Sequence, residues 1–121
     1  MDIDSNNIIV VKSKTFALRS IKLYRILTKE EHEFVLSKQF LRSSTSIGAN
    51  VREAVRGQSN ADFGAKMNIA LKEACETEYW LELLQESGYI SIDEAVSMLN
   101  DCRELIKILL AIVKTTFRKN Q

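Results

Sequence analysis

Residues 39–57 read QFLRSSTSIGANVREAVRG, a stretch that combines helical periodicity with many small residues. Its apolar side chains recur at helical spacing at Phe40, Ile47, Val51 and Val55. The serines, the glycine and the alanines between them have small side chains, so the surface of this helix beside the apolar positions is almost bare backbone. Because another helix could approach such a surface very closely, the stretch predicts a helix inside a tightly packed helical bundle.

The composition is typical of a single, mostly helical domain. The chain has 121 residues, no proline, four glycines, 45% hydrophobic and 27% charged residues, and a formal net charge of +1. Cys75 and Cys102 each fall among apolar residues at helical spacing, so we interpret both as small core residues rather than as a disulfide or a reactive thiol. No amino-terminal segment reads as a secretion signal, and we expect a cytoplasmic protein.

Hydrophobic periodicity divides the chain into a leader and four helices. Residues 1–12 are expected to form a mobile or loosely docked leader. The remaining residues, 13–118, are expected to form one domain with helices at about 13–28, 30–56, 60–87 and 91–118. Long amphipathic helices joined by short corners predict an all-α fold, an antiparallel up-down-up-down four-helix bundle.

Local signals mark the predicted helix ends. Thr28 and Glu31 have the spacing of a capping box at the start of the second helix, and Gly57 is expected to end that helix in a left-handed conformation. Gly88 is expected to end the third helix. The predicted capping groups of the third and fourth helices are Ser59, Asn60, Asp62, Ser91 and Glu94.

The third and fourth helices carry more apolar surface than one bundle can hide. A helix in a single bundle buries one stripe, whereas the segment 105–113 is apolar around most of its circumference. We therefore expect a homo-oligomer in which copies cover each other. The predicted interface comprises Tyr79, Trp80, Leu83, Leu105, Ile108, Leu110 and Ile112.

The segments QFLRSSTSIGANVREA and DFGAKMNIALKEACETEYWLELL closely resemble the four-helix-bundle proteins encoded within bacterial 23S rRNA intervening sequences. The resemblance extends over nearly everything after the leader. One departure is Ala54-Val55-Arg56-Gly57, where many members place glycine directly after the equivalent of Glu53, so the second helix is expected to run about a turn longer here.

The resemblance implies a subunit that assembles as a ring of five, with no established catalytic activity. A similar bundle is the accessory protein of diversity-generating retroelements, in which a basic ring engages structured RNA and a reverse transcriptase. By analogy of fold, the resemblance implies an RNA-binding role.

Four polar residues share one face of the second helix. Arg42, Ser46, Asn50 and Glu53 follow one another at spacings of 4, 4 and 3. Such groups are costly to bury unless they bond to each other or to a neighbouring helix, so we interpret them as a network that fixes helix register. A ligand or RNA contact surface is the alternative interpretation. The expected partners on the third helix are Lys72, Glu73, Glu76 and Glu78.

Basic residues on the first two helices are candidates for RNA contact. Repetition of a basic patch around a ring would combine weak phosphate contacts into salt-dependent binding. The same residues could instead pair with Glu73, Glu76, Glu82 and Glu86, and no aromatic stacking platform accompanies them. The candidate RNA-binding residues are Arg19, Lys22, Arg25, Lys38, Arg42, Arg52 and Arg56.

Nothing in the pattern favours catalysis, a metal or another cofactor. His32 is the only histidine and lies in the charged stretch KEEHEF, so it is interpreted as an exposed residue. The carboxylates between Glu73 and Glu82 lack the histidines that di-iron bundles use, and no glycine-rich phosphate loop occurs. We therefore expect a non-enzymatic protein that binds structured RNA, with a protein-binding scaffold or accessory subunit that makes no RNA contact as the alternative.

Overall fold

The computed structural model describes the backbone of residues 5–119 and the side chains of residues 8–118. The described residues form an all-α four-helix bundle without β-strands. The helices are α1 (Ser5–Lys29), α2 (Leu36–Val55), α3 (Asn60–Glu86) and α4 (Ile92–Lys119). Each helix packs against two others, since α1 and α3 both contact α2 and α4. The core therefore lies between all four helices.

The first helix begins well before the predicted position. Residues 5–12, expected to belong to a loosely docked leader, are the first turns of α1, and that prediction was wrong for them. Ile9 is completely buried and extends the core stripe of Ser13 and Phe16 at helical spacing. The short apolar run Ile8 to Val11 is therefore helix rather than leader, while residues 1–4 of the predicted leader lie outside the described residues.

The corner between α1 and α2 is longer than predicted, because α2 begins at Leu36 and not near residue 30. Thr28 and Glu31 do not form a capping box. Instead, the Thr28 hydroxyl donates a hydrogen bond to the Tyr24 carbonyl oxygen at 3.0 Å, within α1. The corner turns at His32, whose φ of 53° is left-handed.

Glu33 caps the start of α2. Its carboxylate accepts hydrogen bonds from the backbone N–H groups of Val35 at 3.0 Å, Leu36 at 3.0 Å and Ser37 at 2.6 Å. The Ser37 hydroxyl donates in return to the Glu33 carbonyl oxygen at 2.7 Å. Two carboxylate oxygens thus satisfy three N–H groups that the first helical turn leaves free, which explains why the helix starts here.

The ends of α3 and α4 lie within one residue of their predicted positions. Ser59 Oγ accepts from the Asp62 N–H at 3.0 Å, and Ser91 Oγ accepts from the Glu94 N–H at 3.1 Å. Gly88 follows α3 with a left-handed φ of 87°. Short-range capping chemistry therefore defines both helices.

Gly57 does not play the part predicted for it. Among the described residues only His32 and Gly88 have positive φ, so Gly57 is not left-handed and the predicted left-handed stop was wrong. Its N–H donates to the Ala54 carbonyl oxygen at 3.1 Å, and Arg56 is the residue that caps α2, with a φ of −97°.

The small face of α2 lies at the centre of the bundle. Ser43 and Ser44 are fully buried, and the Ser43 and Thr77 hydroxyl oxygens are 2.8 Å apart across the α2–α3 contact. A Cβ atom built on Gly48 would lie 3.5 Å from the backbone of Ser13 in α1. Both neighbouring helices therefore approach this stretch closely.

Two residues of the predicted oligomer interface belong to the core of the subunit. Leu105 is 1% exposed and Ile112 is 5% exposed, so their assignment to an interface was wrong. The buried face of α4 includes Met98, Leu105 and Ile112 as well as Cys102, which turns this apolar segment inward. Burial raises the pKa of the Cys102 thiol to about 12. Cys75, predicted to be a core residue, is exposed instead.

Candidate functional site

An outward-facing line of residues on α2, here called the α2 stripe, carries most of the candidate RNA-binding residues. Its members follow one another at spacings of 4, 3, 4, 3 and 4, on the side opposite the buried Ile47 and Val51. From end to end the stripe is about 27 Å long at a helical rise of about 1.5 Å per residue. Its members are Lys38, Arg42, Thr45, Ala49 and Arg52, together with Arg56 at the carboxyl-terminal cap of the helix.

Arg42 is tied to α3. Its Nη1 lies 2.9 Å from Glu73 Oε2 and its Nη2 lies 3.3 Å from Glu73 Oε1, while Nη2 also donates to Glu76. Glu76 Oε2 accepts a further hydrogen bond from Trp80 Nε1 at 3.0 Å. Hydrogen bonds from Trp80 and then Arg42 lower the pKa of Glu76, and those to Glu73 and Glu76 raise the pKa of Arg42. The guanidinium group of Arg42 is therefore paired with two carboxylates.

The four polar residues of the predicted network do not bond to each other through their side chains. Ser46 Oγ donates to the Arg42 carbonyl oxygen at 2.6 Å, and Asn50 Nδ2 donates to the Ser46 carbonyl oxygen at 2.9 Å, both within α2. Only Arg42 and Glu53 reach α3, where Glu53 Oε1 lies 3.5 Å from Lys66 Nζ. Cross-helix register is thus supported at two separate points.

The candidate residues of α1 are not part of the α2 stripe. Arg19 points toward α4, where its Nη1 lies 2.7 Å from Asp101 Oδ2 and its Nη2 lies 2.6 Å from Ser97 Oγ. Lys22 and Arg25 are exposed on α1. The structure therefore separates Arg19 from the α2 stripe, because that side chain lies against α4.

Two shallow cavities flank the α2 stripe, one on each side, and are together called the α2 furrow. Both cavities are lined by Ala49 and Arg52. The larger, of about 610 Å³, lies between α2 and α3 and is also lined by Glu53, Arg56, Gly57, Asp62 and Lys66. The smaller, of about 240 Å³, lies between α1 and α2 and is also lined by Val10, Ser13, Lys14, Ala17, Thr45 and Gly48.

The α2 furrow adds two cations that sequence reasoning missed. Lys14 comes from α1 and Lys66 from α3, and both line the furrow beside Arg52. Their positions in the sequence carry no signal of this, because only the packing of three helices brings them to the same surface.

Four carboxylates of α3 form ion pairs with arginines. Besides Glu73 and Glu76 on Arg42, Arg103 Nε lies 2.7 Å from Glu78 Oε2, and Arg103 Nη2 lies 3.7 Å from Glu82 Oε2.

Between residues 8 and 118 no group of three or more potential ligands is placed to hold a metal ion. In the same part of the chain, no helix combines the length and apolarity needed to cross a bilayer.

The remaining residues of the predicted interface lie at or near the surface. Tyr79 and Leu110 are exposed, whereas Trp80, Leu83 and Ile108 are half-buried. The ring centroids of Tyr79 and Trp80 are 5.3 Å apart, so each ring covers part of the other. Two exposed apolar residues of α4 that sequence reasoning missed, Val96 and Phe117, lie on the same side of that helix as Leu110 because they are multiples of seven residues apart.

The chain is similar to known proteins both in sequence and in fold. The sequence profile of the family described as 23S rRNA-intervening sequence protein matches residues 5–111. A crystal structure of a protein with unknown function from the S23 ribosomal protein family of Bacteroides thetaiotaomicron VPI-5482 is 55% identical, with a TM-score of 0.89. The match covers 91% of this chain and 98% of that one. No curated protein matches the chain.

Proposed function

The chain belongs to the 23S rRNA-intervening sequence protein family, and we propose that it is a non-enzymatic, homo-oligomeric protein that binds structured RNA through basic groups. The supporting observation is the α2 stripe. None of the ion pairs between described residues involves its Lys38, Arg52 or Arg56. Their charges are therefore available to phosphate groups, whereas Arg19 and Arg42 are held by carboxylates.

The proposal includes the antiparallel up-down-up-down arrangement of the helices. The order of cross-helix contacts supports it, since Arg42 pairs with Glu73 while Glu53, later in α2, pairs with Lys66, earlier in α3. On α3 and α4, Gly64 likewise lies against Thr116. Each helix would then lie beside partners of opposite direction, as in an up-down-up-down bundle.

The proposal also includes a ring of five subunits in the cytoplasm. Exposed apolar residues on α3 and α4, among them Tyr79, Leu110 and Phe117, support burial against another copy. Assembly matters for the function, because a few free cations per subunit hold phosphate weakly. Five copies engaging one RNA would combine those contacts.

Filter binding with a transcript of a 23S rRNA intervening sequence tests the proposal. We expect binding at about 50 mM salt that weakens steeply by about 200 mM. The triple variant Lys38→Gln, Arg52→Gln and Arg56→Gln is expected to lose at least about tenfold in affinity. A control triple variant, Lys72→Gln, Lys107→Gln and Lys114→Gln, removes equally exposed charges elsewhere and should bind as the wild type does. Absence of wild-type binding at low salt would refute RNA binding.

A protein-binding scaffold that makes no RNA contact is the second candidate. It is favoured by the exposed apolar residues Leu110 and Phe117 on α4, which suit a protein partner better than a polyanion. Affinity capture from cell extract with and without ribonuclease separates the two functions. Proteins retained after ribonuclease treatment, together with no enriched RNA in the untreated sample, would favour the scaffold.

A further inference from the structure

We infer that the α2 furrow is a binding site for the phosphodiester backbone of an RNA strand, with Lys14 and Lys66 as contact residues beside Arg52 and Arg56. This inference rests on the proposed RNA binding and assigns it a place on the molecule. It also adds Lys14 of α1 and Lys66 of α3 to candidate residues that the sequence pattern placed only on the first two helices.

The charges around the α2 furrow favour an anion. Four cations line it, Lys14, Arg52, Arg56 and Lys66, against the two carboxylates of Glu53 and Asp62, so positive charge is in excess by two. Lys14 lies on the α1 side of the α2 stripe and Lys66 on the α3 side, so a phosphate chain that crosses the stripe at Ala49 would meet cations from three helices.

The two carboxylates are partly compensated within the protein. Asp62 lies in the first turn of α3, where a negative charge stabilises the helix dipole. Glu53 is paired with Lys66 at 3.5 Å, and both side chains are substantially exposed. Such a pair is weak in water, so Lys66 can exchange Glu53 for a phosphate at little cost.

The shape of the α2 furrow suits a sugar–phosphate backbone. Ala17, Gly48, Ala49 and Gly57 line it with little side-chain bulk, so a ligand can approach the helix backbone between the cations. No aromatic residue lines either cavity, so recognition would use phosphates rather than stacked bases.

Fluorescence anisotropy with a labelled single-stranded RNA of about 12 nucleotides tests the contact residues. Lys14→Gln and Lys66→Gln are each expected to weaken binding about three- to tenfold and to lower the salt slope by about one. Lys72→Gln, the control, removes an exposed charge on α3 that does not line the α2 furrow, and should have no effect. Equal losses in all three variants would show diffuse attraction and overturn the site.

Two further substitutions test shape and charge separately. Ala49→Trp fills the furrow without changing charge and should weaken RNA binding at least about threefold, whereas Ala65→Trp on exposed α3 surface should not. Glu53→Gln removes a carboxylate and releases Lys66, so it should tighten binding by about two- to fivefold. If Ala49→Trp leaves binding unchanged and Glu53→Gln fails to tighten it, RNA does not occupy the furrow.

Titration of the isotope-labelled protein with tripolyphosphate tests the anion site without RNA. We expect amide resonance shifts at Ala49 and Gly57 that exceed those at Gly88, which lies outside the furrow. Absence of shifts at the furrow would overturn this inference even if RNA binds elsewhere. Shifts at the furrow together with no binding of any RNA would overturn RNA as the ligand and, with it, the proposed function, leaving only a site for free phosphates.

Discussion

At the scale of single residues, Glu33 shows how one side chain can set the start of a helix. The α1–α2 corner leaves the N–H groups of Val35, Leu36 and Ser37 without carbonyl partners, and the Glu33 carboxylate accepts from all three. Burial alone would raise the pKa of Glu33, but these hydrogen bonds outweigh it and lower the pKa below its ordinary 4.5.

Replacing Glu33 by alanine removes the acceptor for all three N–H groups. We expect a loss of about 1–2 kcal/mol in the free energy of unfolding, as for other helix caps, measured by urea denaturation at neutral pH. Glu31→Ala is the matched control, because Glu31 is exposed in the same corner and makes no contact with α2 among the described hydrogen bonds. An equal loss in both variants would contradict the capping role.

The lowered pKa of Glu33 also predicts a pH dependence. Because the folded protein holds this proton less tightly than the unfolded chain, the stabilisation by Glu33 is complete above about pH 4.5 and is lost as the pH falls through the lower, folded-state pKa. The difference in unfolding free energy between the wild type and Glu33→Ala should therefore shrink on acidification below pH 4.5. A difference that stays constant down to pH 2 would contradict this explanation.

At the scale of helices, Arg42 connects α2 to α3 through Glu73 and Glu76, as Arg103 connects α4 to α3 through Glu78 and Glu82. Arg42→Met leaves two carboxylates without their cation. Because the Arg42 side chain is 49% exposed, we expect only about 0.5–1 kcal/mol of destabilisation, decreasing at high salt, with a similar loss for Arg103→Met. Unchanged stability and assembly combined with lost RNA affinity would instead make Arg42 a ligand contact.

The ends of the helices show which parts of the fold the sequence could predict. Ser59, Ser91 and Gly88 act on backbone groups within a few residues, so local reasoning placed the ends of α3 and α4 closely. The start of α1 was missed because the burial of Ile9 depends on the other helices, and the start of α2 was missed because the corner turns at His32 before Glu33 caps it.

Packing between helices also decided which residues of the candidate site could be predicted from the sequence. Of the partners expected on α3, Glu73 and Glu76 do contact Arg42, whereas Glu53 contacts Lys66, which the sequence pattern did not indicate. Lys14 and Lys66 belong to other helices, and only the packed bundle brings them beside Arg52. On α4, apolar residues on most sides concealed which of them point inward, and Leu105 and Ile112 were assigned to the wrong face.

At the scale of the whole molecule, exposed apolar residues of α4 predict self-association. A double variant, Leu110→Gln and Phe117→Gln, keeps the buried face intact and should shift the mass measured by light scattering toward that of the 13.8 kDa subunit. Leu18→Gln on α1, where the leucine is 57% exposed, is the control and should assemble as the wild type does. A wild-type protein that is monomeric at micromolar concentration would contradict the prediction.

The junction between α1 and α4 differs from the other three because it joins the two helices that are farthest apart along the chain. It is also the least extensive junction, and its cross-helix ion pairs, Lys12 with Glu104 and Arg19 with Asp101, are exposed to water. Helices that are adjacent in the chain can pack together with little loss of chain entropy. The contact between α1 and α4 should therefore form last during folding and break first in the native state. Amide hydrogens at the α1–α4 contact should then exchange faster than those at the α2–α3 contact.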